Sequence, residues 1–353
     1  MNATLPVDLD FLVARLHGRR RHLAEADRLD ALCRLRTLPD LARTVLPDTQ
    51  SHSVGQLQQE FIRRVVQELA DFAEQLTGAG SRLMQWMRTR YQIENLKVLA
   101  RVFATGKSLD LAREHLVSLP ADLALNIEAL ATADSLESFA AATPSPVFER
   151  GLIDAATTYA EEPKPIILEA ALDRVYLREL IARSKALPRE PRQDSSKIAR
   201  QEADTFLLML VARGRFTYGL QSNRLALFHV NGAGISQQRF SRMLAAENLR
   251  AAARESVGLV LDRLPESHVG QGGNGQDLEP AVLEAMAWNR YLRLAHRAFR
   301  RSHMGMGAVI AFAAIRRIEL ANLITLSEGI RAEMDPDVIR SRLLPTDTEA
   351  MHV

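Results

Sequence analysis

The sequence predicts an all-α fold in which one helical unit is used three times, and three observations carry that reading. Proline is absent between Pro47 and Pro120 and again between Pro191 and Pro265, while apolar residues recur at helical spacing through both stretches. Sustained period-two alternation of β-branched residues is missing. Finally, Leu168-Glu169-Ala170 with Tyr176-Leu177-Arg178 returns 115 residues later as Leu283-Glu284-Ala285 with Tyr291-Leu292-Arg293, and Phe61-Ile62-Arg63 stands 115 residues upstream of Tyr176.

Along the chain, Leu38 to Leu46 reads as a short helix opening the first unit. Phe61, Val65, Leu69, Phe72 and Leu76 form one apolar stripe, and after the break at Gly78-Ala79-Gly80 a second runs through Leu83, Met87, Tyr91, Leu96 and Leu99. Gly106 is expected to end that helix. Asp134 and Glu137 have the spacing of a capping box, placing a short helix over Ser135 to Ala140 at the start of the second unit. Joints fall at Pro144 to Pro146, Pro163 to Pro165 and Pro188 to Pro191, and Gly214 or Gly219 is expected where the unit's last helix ends. Asn248 to Ala252 opens the third unit, Gly329 is expected at the end of its second long helix, and Pro345 marks a last joint.

Counting from the aromatic anchors extends the repeat. Leu207 lies 31 residues after Tyr176 and Asn322 lies 31 after Tyr291, whereas Asn95 lies 34 after Phe61, a slip that one added helical turn accounts for. Phe61, Tyr176 and Tyr291 are therefore expected at equivalent places, as are Asn95, Leu207 and Asn322. Cuts near 116 and 230 divide the chain into residues 1–115, 116–230 and 231–353.

Composition bounds the function. A chain of 353 residues, 47% hydrophobic and 25% charged, buries a substantial core. Lys plus Arg is 45 against 43 Asp plus Glu, so net charge gives no reason to expect nucleic acid as the main partner. The single cysteine, Cys33, excludes an intrachain disulfide and points to a reducing compartment. Met1 to Asp10 has no basic start, and apolar runs such as Gly305 to Ile315 fall short of the roughly 20 residues of a membrane span. Contact with a membrane is expected from its surface or through another protein.

The segment Glu319-Leu320-Ala321-Asn322-Leu323, echoed at Glu94-Asn95-Leu96, is followed by Gly329-Ile330-Arg331 and Val338-Ile339-Arg340-Ser341-Arg342-Leu343. In this pattern, and over essentially its whole length, the chain resembles the C subunit of V/A-type rotary ATPases and ATP synthases, the counterpart of the eukaryotic V-ATPase d subunit. It departs at Leu207, where the family's middle repeat has Asn. The resemblance implies a funnel of three similar helical domains about a pseudo-threefold axis. It implies a non-catalytic central-rotor subunit on the cytoplasmic face of the membrane, a socket between D/F-type central-stalk subunits and the membrane proteolipid ring. Such a subunit passes torque coupled to H+ or Na+ transport and uses no cofactor.

A search of the residues for chemistry finds decoys. Gly270-Gln271-Gly272-Gly273-Asn274-Gly275 satisfies a dinucleotide-binding spacing but lacks the preceding strand, and reads as a loop. Thr105-Gly106-Lys107-Ser108 imitates the end of a phosphate loop, yet Arg101 stands where that motif needs glycine. His17, His22, His296 and His303 sit among arginines, a poor setting for a bound cation. No catalytic, cofactor-binding or metal residue is assigned.

Two basic clusters remain: Arg15, Arg19, Arg20 and Arg21 with His22, and Arg290, Arg293, Arg297, Arg300 and Arg301 along one helix. They read as solvated faces or as a partner interface for an acidic protein or lipid headgroups. The alternative to a rotor adapter is an all-α helical-repeat scaffold that binds other proteins, although solenoid repeats are much shorter than 115 residues.

Overall fold

The computed structural model describes residues 9–48, 53–264 and 278–346. Helix α1 (Leu9–Arg20) is followed by three hairpins of long helices: α2 (Val54–Gln75) with α3 (Gly78–Thr105), α4 (Pro165–Lys185) with α5 (Arg189–Met209), and α6 (Pro280–Ser302) with α7 (Met306–Arg331). Shorter helices fill the connections, including Leu136–Ala141 and Pro146–Asp154 before α4 and Gln237–Ala245 and Leu249–Arg254 before α6. No strand occurs among the described residues, only an isolated bridge between Val257 and Leu261. None of the described helices is long and apolar enough to cross a membrane.

Local chemistry sets these boundaries. Ser53 caps α2 by accepting the Gln56 N–H, while Pro165 and Pro280 open α4 and α6, where a missing N–H leaves no helical bond unmade. Gly106 closes α3 in the left-handed region, at φ 62°, as its sequence position predicts. Three local expectations shift. The capping box belongs to Ser135 and Ser138, one residue along, because Ser135 holds the extended backbone that precedes the first helical residue. Of the two glycines expected at the end of the middle unit's last helix, Gly214 lies inside a π-helical continuation of α5 (Leu210–Arg215), and Gly219 takes the left-handed closing position at φ 66°. Gly329 lies inside α7, where a Cβ would meet the Ile339 side chain at 2.7 Å; it is a close-approach glycine and Ala332 ends the helix.

The long helices pack in cyclic order. Each lies against the next from α2 to α7, and α7 returns to pack on α2, so the six form a closed ring with α1 laid over α7 and α2. At the closing seam the Phe72 ring meets Phe312 edge-on at 5.9 Å. The three hairpin turns come together at one end: a Cβ on Gly80 would collide with Met306, and one on Gly307 would collide with Ser302 and approach Pro191 Cα to 4.0 Å.

Candidate functional site

Inside the ring, Tyr176 and Tyr291 are both fully enclosed, 2% and 0% exposed. Trp86 of α3 stacks on Tyr176 at 6.0 Å, and Trp288 meets Tyr291 edge-on at 5.2 Å. Each tyrosine faces an arginine from another hairpin helix: Arg90 lies 5.7 Å from the Tyr176 ring and Arg317 5.8 Å from the Tyr291 ring. Arg90 pairs with Glu94 at 2.7 Å and Asp173 at 2.8 Å, and Arg317 pairs with Glu202 of α5 at 2.5 Å. Burial raises the tyrosine hydroxyls, pushing Tyr91 up to about 12 and Tyr176 well above its ordinary range. This is an ionic and aromatic centre that ties α3, α4, α5, α6 and α7 together. Phe61 of α2 is buried in the core.

The repeated glutamates bridge successive hairpins. Glu169 of α4 takes both arms of Arg101, at 2.6 and 3.1 Å, and Glu284 of α6 takes Arg213 at 2.5 Å. At the closing seam Gln58 of α2 donates to Ser327 Oγ at 3.0 Å and Glu328 Oε1 at 2.8 Å.

The asparagines serve as clips. Asn95 donates its amide to Val117 O at 2.8 Å and accepts the Val117 N–H at 2.7 Å; Asn322 does the same to Leu344, at 2.6 and 2.9 Å, and both partners lie 22 residues downstream. In the middle hairpin the carboxyl group of Asp204 fills this role, its Oδ1 accepting the Ile235 N–H at 2.7 Å. Leu207 has no polar atom to offer and is buried in the core. Three residues before each clip stands a second buried polar group. Gln92 donates to Leu123 O at 3.0 Å, Gln201 to Val260 O at 3.1 Å and Ala287 O at 3.0 Å, and Glu319 accepts the Ala24 N–H at 2.6 Å. Gln92, rather than Glu94, thus takes the place of Glu319. The signal for Asp204 was an acid or amide at i and i+3 on one helical face, which counting from the tyrosines overlooked.

The basic clusters divide unevenly. Arg290 and Arg293 both engage Asp262, and Arg301 reaches Asp194 at 3.4 Å. Arg297 and Arg300 are exposed and carry no ion pair among the described residues. Helix α1 brings the other cluster alongside. Arg20 lies 4.7 Å over the Phe299 ring, His17 packs on the same ring at 4.7 Å, and its Nε2 lies 3.1 Å from His303 O. Burial opposes the Glu25 charge, but His296 and Arg20 beside it hold its carboxyl below the ordinary range.

Of the remaining sequence signals, Gly270 to Gly275 lies outside the described residues. Lys107 follows the α3 cap, and Ser108 caps the next short helix. Both border a cavity of about 780 Å³ between α3, α4 and α5, floored by Val102, Ile166 and Phe206. Cys33 is buried in the helix Ala26–Cys33. No group of three or more His, Cys, Asp or Glu suited to a metal occurs among the described residues.

Fold and polar framework together define an all-α protein of three helix hairpins closed into a ring, its buried charges engaged in holding helices and loops together. Residues 12–342 match the ATP synthase (C/AC39) subunit family, and the chain belongs to that family. Among its relatives is the C subunit of the A-type ATP synthase of Halobacterium salinarum, 23% identical over 368 residues that cover 98% of this chain and 99% of the relative. The corresponding C subunit of the A-type ATP synthase of Methanothermobacter thermautotrophicus is 23% identical over 267 residues, covering 72% and 66%.

Proposed function

We propose that this protein is a non-catalytic central-rotor subunit of a V/A-type ATPase or ATP synthase. In this reading residues 1–115, 116–230 and 231–353 are three units about a pseudo-threefold axis, forming a funnel on the cytoplasmic face of the membrane. The funnel receives D/F-type central-stalk subunits and rests on the proteolipid ring, passing torque coupled to H+ or Na+ movement. The observation that carries the reading, beside family membership, is the closed ring of hairpins whose turns converge at one end. A part that transmits torque needs stiffness around its circumference, and ring closure by α7 on α2 supplies a path for load without a free edge. The Glu169, Glu284 and Gln58 seams and the ionic centre brace that ring.

The test is removal of the whole subunit from the assembled complex. Hydrolysis of ATP by the soluble motor is expected to continue while ATP-driven ion uptake by membrane vesicles is lost. Normal ion uptake per ATP in vesicles lacking this chain would overturn the reading.

A further inference from the structure

Arginines from opposite ends of the chain form one exposed cationic surface around the turn between α6 and α7. Arg297, Arg300 and Arg301 share the solvent side of α6 at three- and four-residue spacing, and all are exposed. Phe299, gripped between His17 and Arg20, fixes the end of α1 against them and so brings exposed Arg21 and His22 to the same region.

Four neighbouring carboxylates are already engaged, while Asp27 and Glu190 are exposed and carry no ion pair among the described residues. Glu25 is held by His296 at 2.6 Å and Arg20 at 3.4 Å, and Glu68 by Arg19 at 2.6 Å and Arg316 at 2.7 Å. Asp262 is taken by Arg290 and Arg293, and Asp194 is shared by Lys197 at 3.9 Å and Arg301 at 3.4 Å. Arg21, Arg297 and Arg300 are left without an ion pair among the described residues. At the turn itself Met304 is 41% exposed.

We propose that this surface docks on the phosphodiester headgroups of an anionic lipid bilayer. The free charges are guanidinium groups, whose planar fork matches phosphate oxygens in pairs. The unpaired arginines outnumber the exposed unpaired carboxylates nearby, Asp27 and Glu190, and the resulting net positive field suits a sheet of uniform negative charge. Met304 supplies an apolar tip for the headgroup boundary. The proposal is independent of the rotor reading, since it concerns the isolated chain and a bilayer.

The experiment is flotation of the full-length chain with vesicles of phosphatidylglycerol and phosphatidylcholine, against phosphatidylcholine alone. Binding to the anionic vesicles only, weakening as salt rises, is expected. Each surface arginine contributes about 1 kcal/mol, or roughly a fivefold change in partition, so Arg297→Glu, Arg300→Glu and Arg301→Glu together should weaken binding by on the order of 100-fold or more. A charge-matched control, Arg34→Glu, Arg36→Glu and Arg254→Glu, exposed positions on other segments than α6 and the end of α1, should retain most of it. No binding to anionic vesicles, or equal loss in both variants, would overturn the proposal. So would binding to polyglutamate but not vesicles, which points to an acidic protein, or full displacement by free phosphate, which points to a small anion.

Discussion

Asp204 should make the stability of this protein fall with rising pH in a way that a single substitution removes. Burial pushes its carboxyl from an ordinary 3.8 up to about 7, opposed by hydrogen bonds from the Ile235 and Gly234 N–H groups and by the charges of Arg200 and Arg290. The folded chain therefore keeps a proton that the unfolded chain has already released. That advantage is complete below about pH 4 and is lost as pH climbs through about 7, a total of about 4 kcal/mol.

Other carboxylates act in the opposite direction. Hydrogen bonds from Arg63 and Arg64 outweigh the cost of burial and hold Glu60 at about 2, so the comparison must be with a variant differing at one atom. In Asp204→Asn the Oδ1 keeps the Ile235 bond, but its NH2 meets the Gly234 N–H donor to donor, costing about 1–3 kcal/mol in acid. Urea unfolding between about pH 5 and 8 should then show the wild type ahead at the acid end and its lead shrinking by roughly 3 kcal/mol toward the alkaline end. A difference between the two proteins that stays constant across that range would refute the assignment of a protonated carboxyl to this clip.

Two further substitutions probe the framework. Glu202→Gln leaves Arg317 enclosed without its counter-charge and should cost about 3–5 kcal/mol in urea, whereas an apolar pair at both positions should recover most of that loss. Asn322→Ala frees both backbone groups of Leu344, and should cost about 1–3 kcal/mol and speed amide exchange at Leu344; unchanged exchange would mean the clip does not hold that segment.

Much of this architecture was legible in the sequence because helices are local. The proline-free stretches became α2 with α3 and α5 with its π-helical end, and Gly106 ended α3 because only a residue at ease with positive φ closes a helix that way. The echo at 115 residues was legible because Glu169 and Glu284 meet the same need, a carboxylate for the preceding hairpin's arginine, and Tyr176 and Tyr291 the same need for an aromatic facing an arginine. The clip in the middle hairpin was hidden. Its partner lies 31 residues away instead of 22, and its acceptor changed from an amide to a carboxyl group, so fixed-interval counting landed on Leu207, one turn late. Ring closure, the enclosed pair of Glu202 with Arg317 and the joining of Arg20 to the α6 arginines through Phe299 were decided only by tertiary packing. Each links residues that no periodicity relates, and burial then sets whether a charge is paired, held neutral or left at the surface.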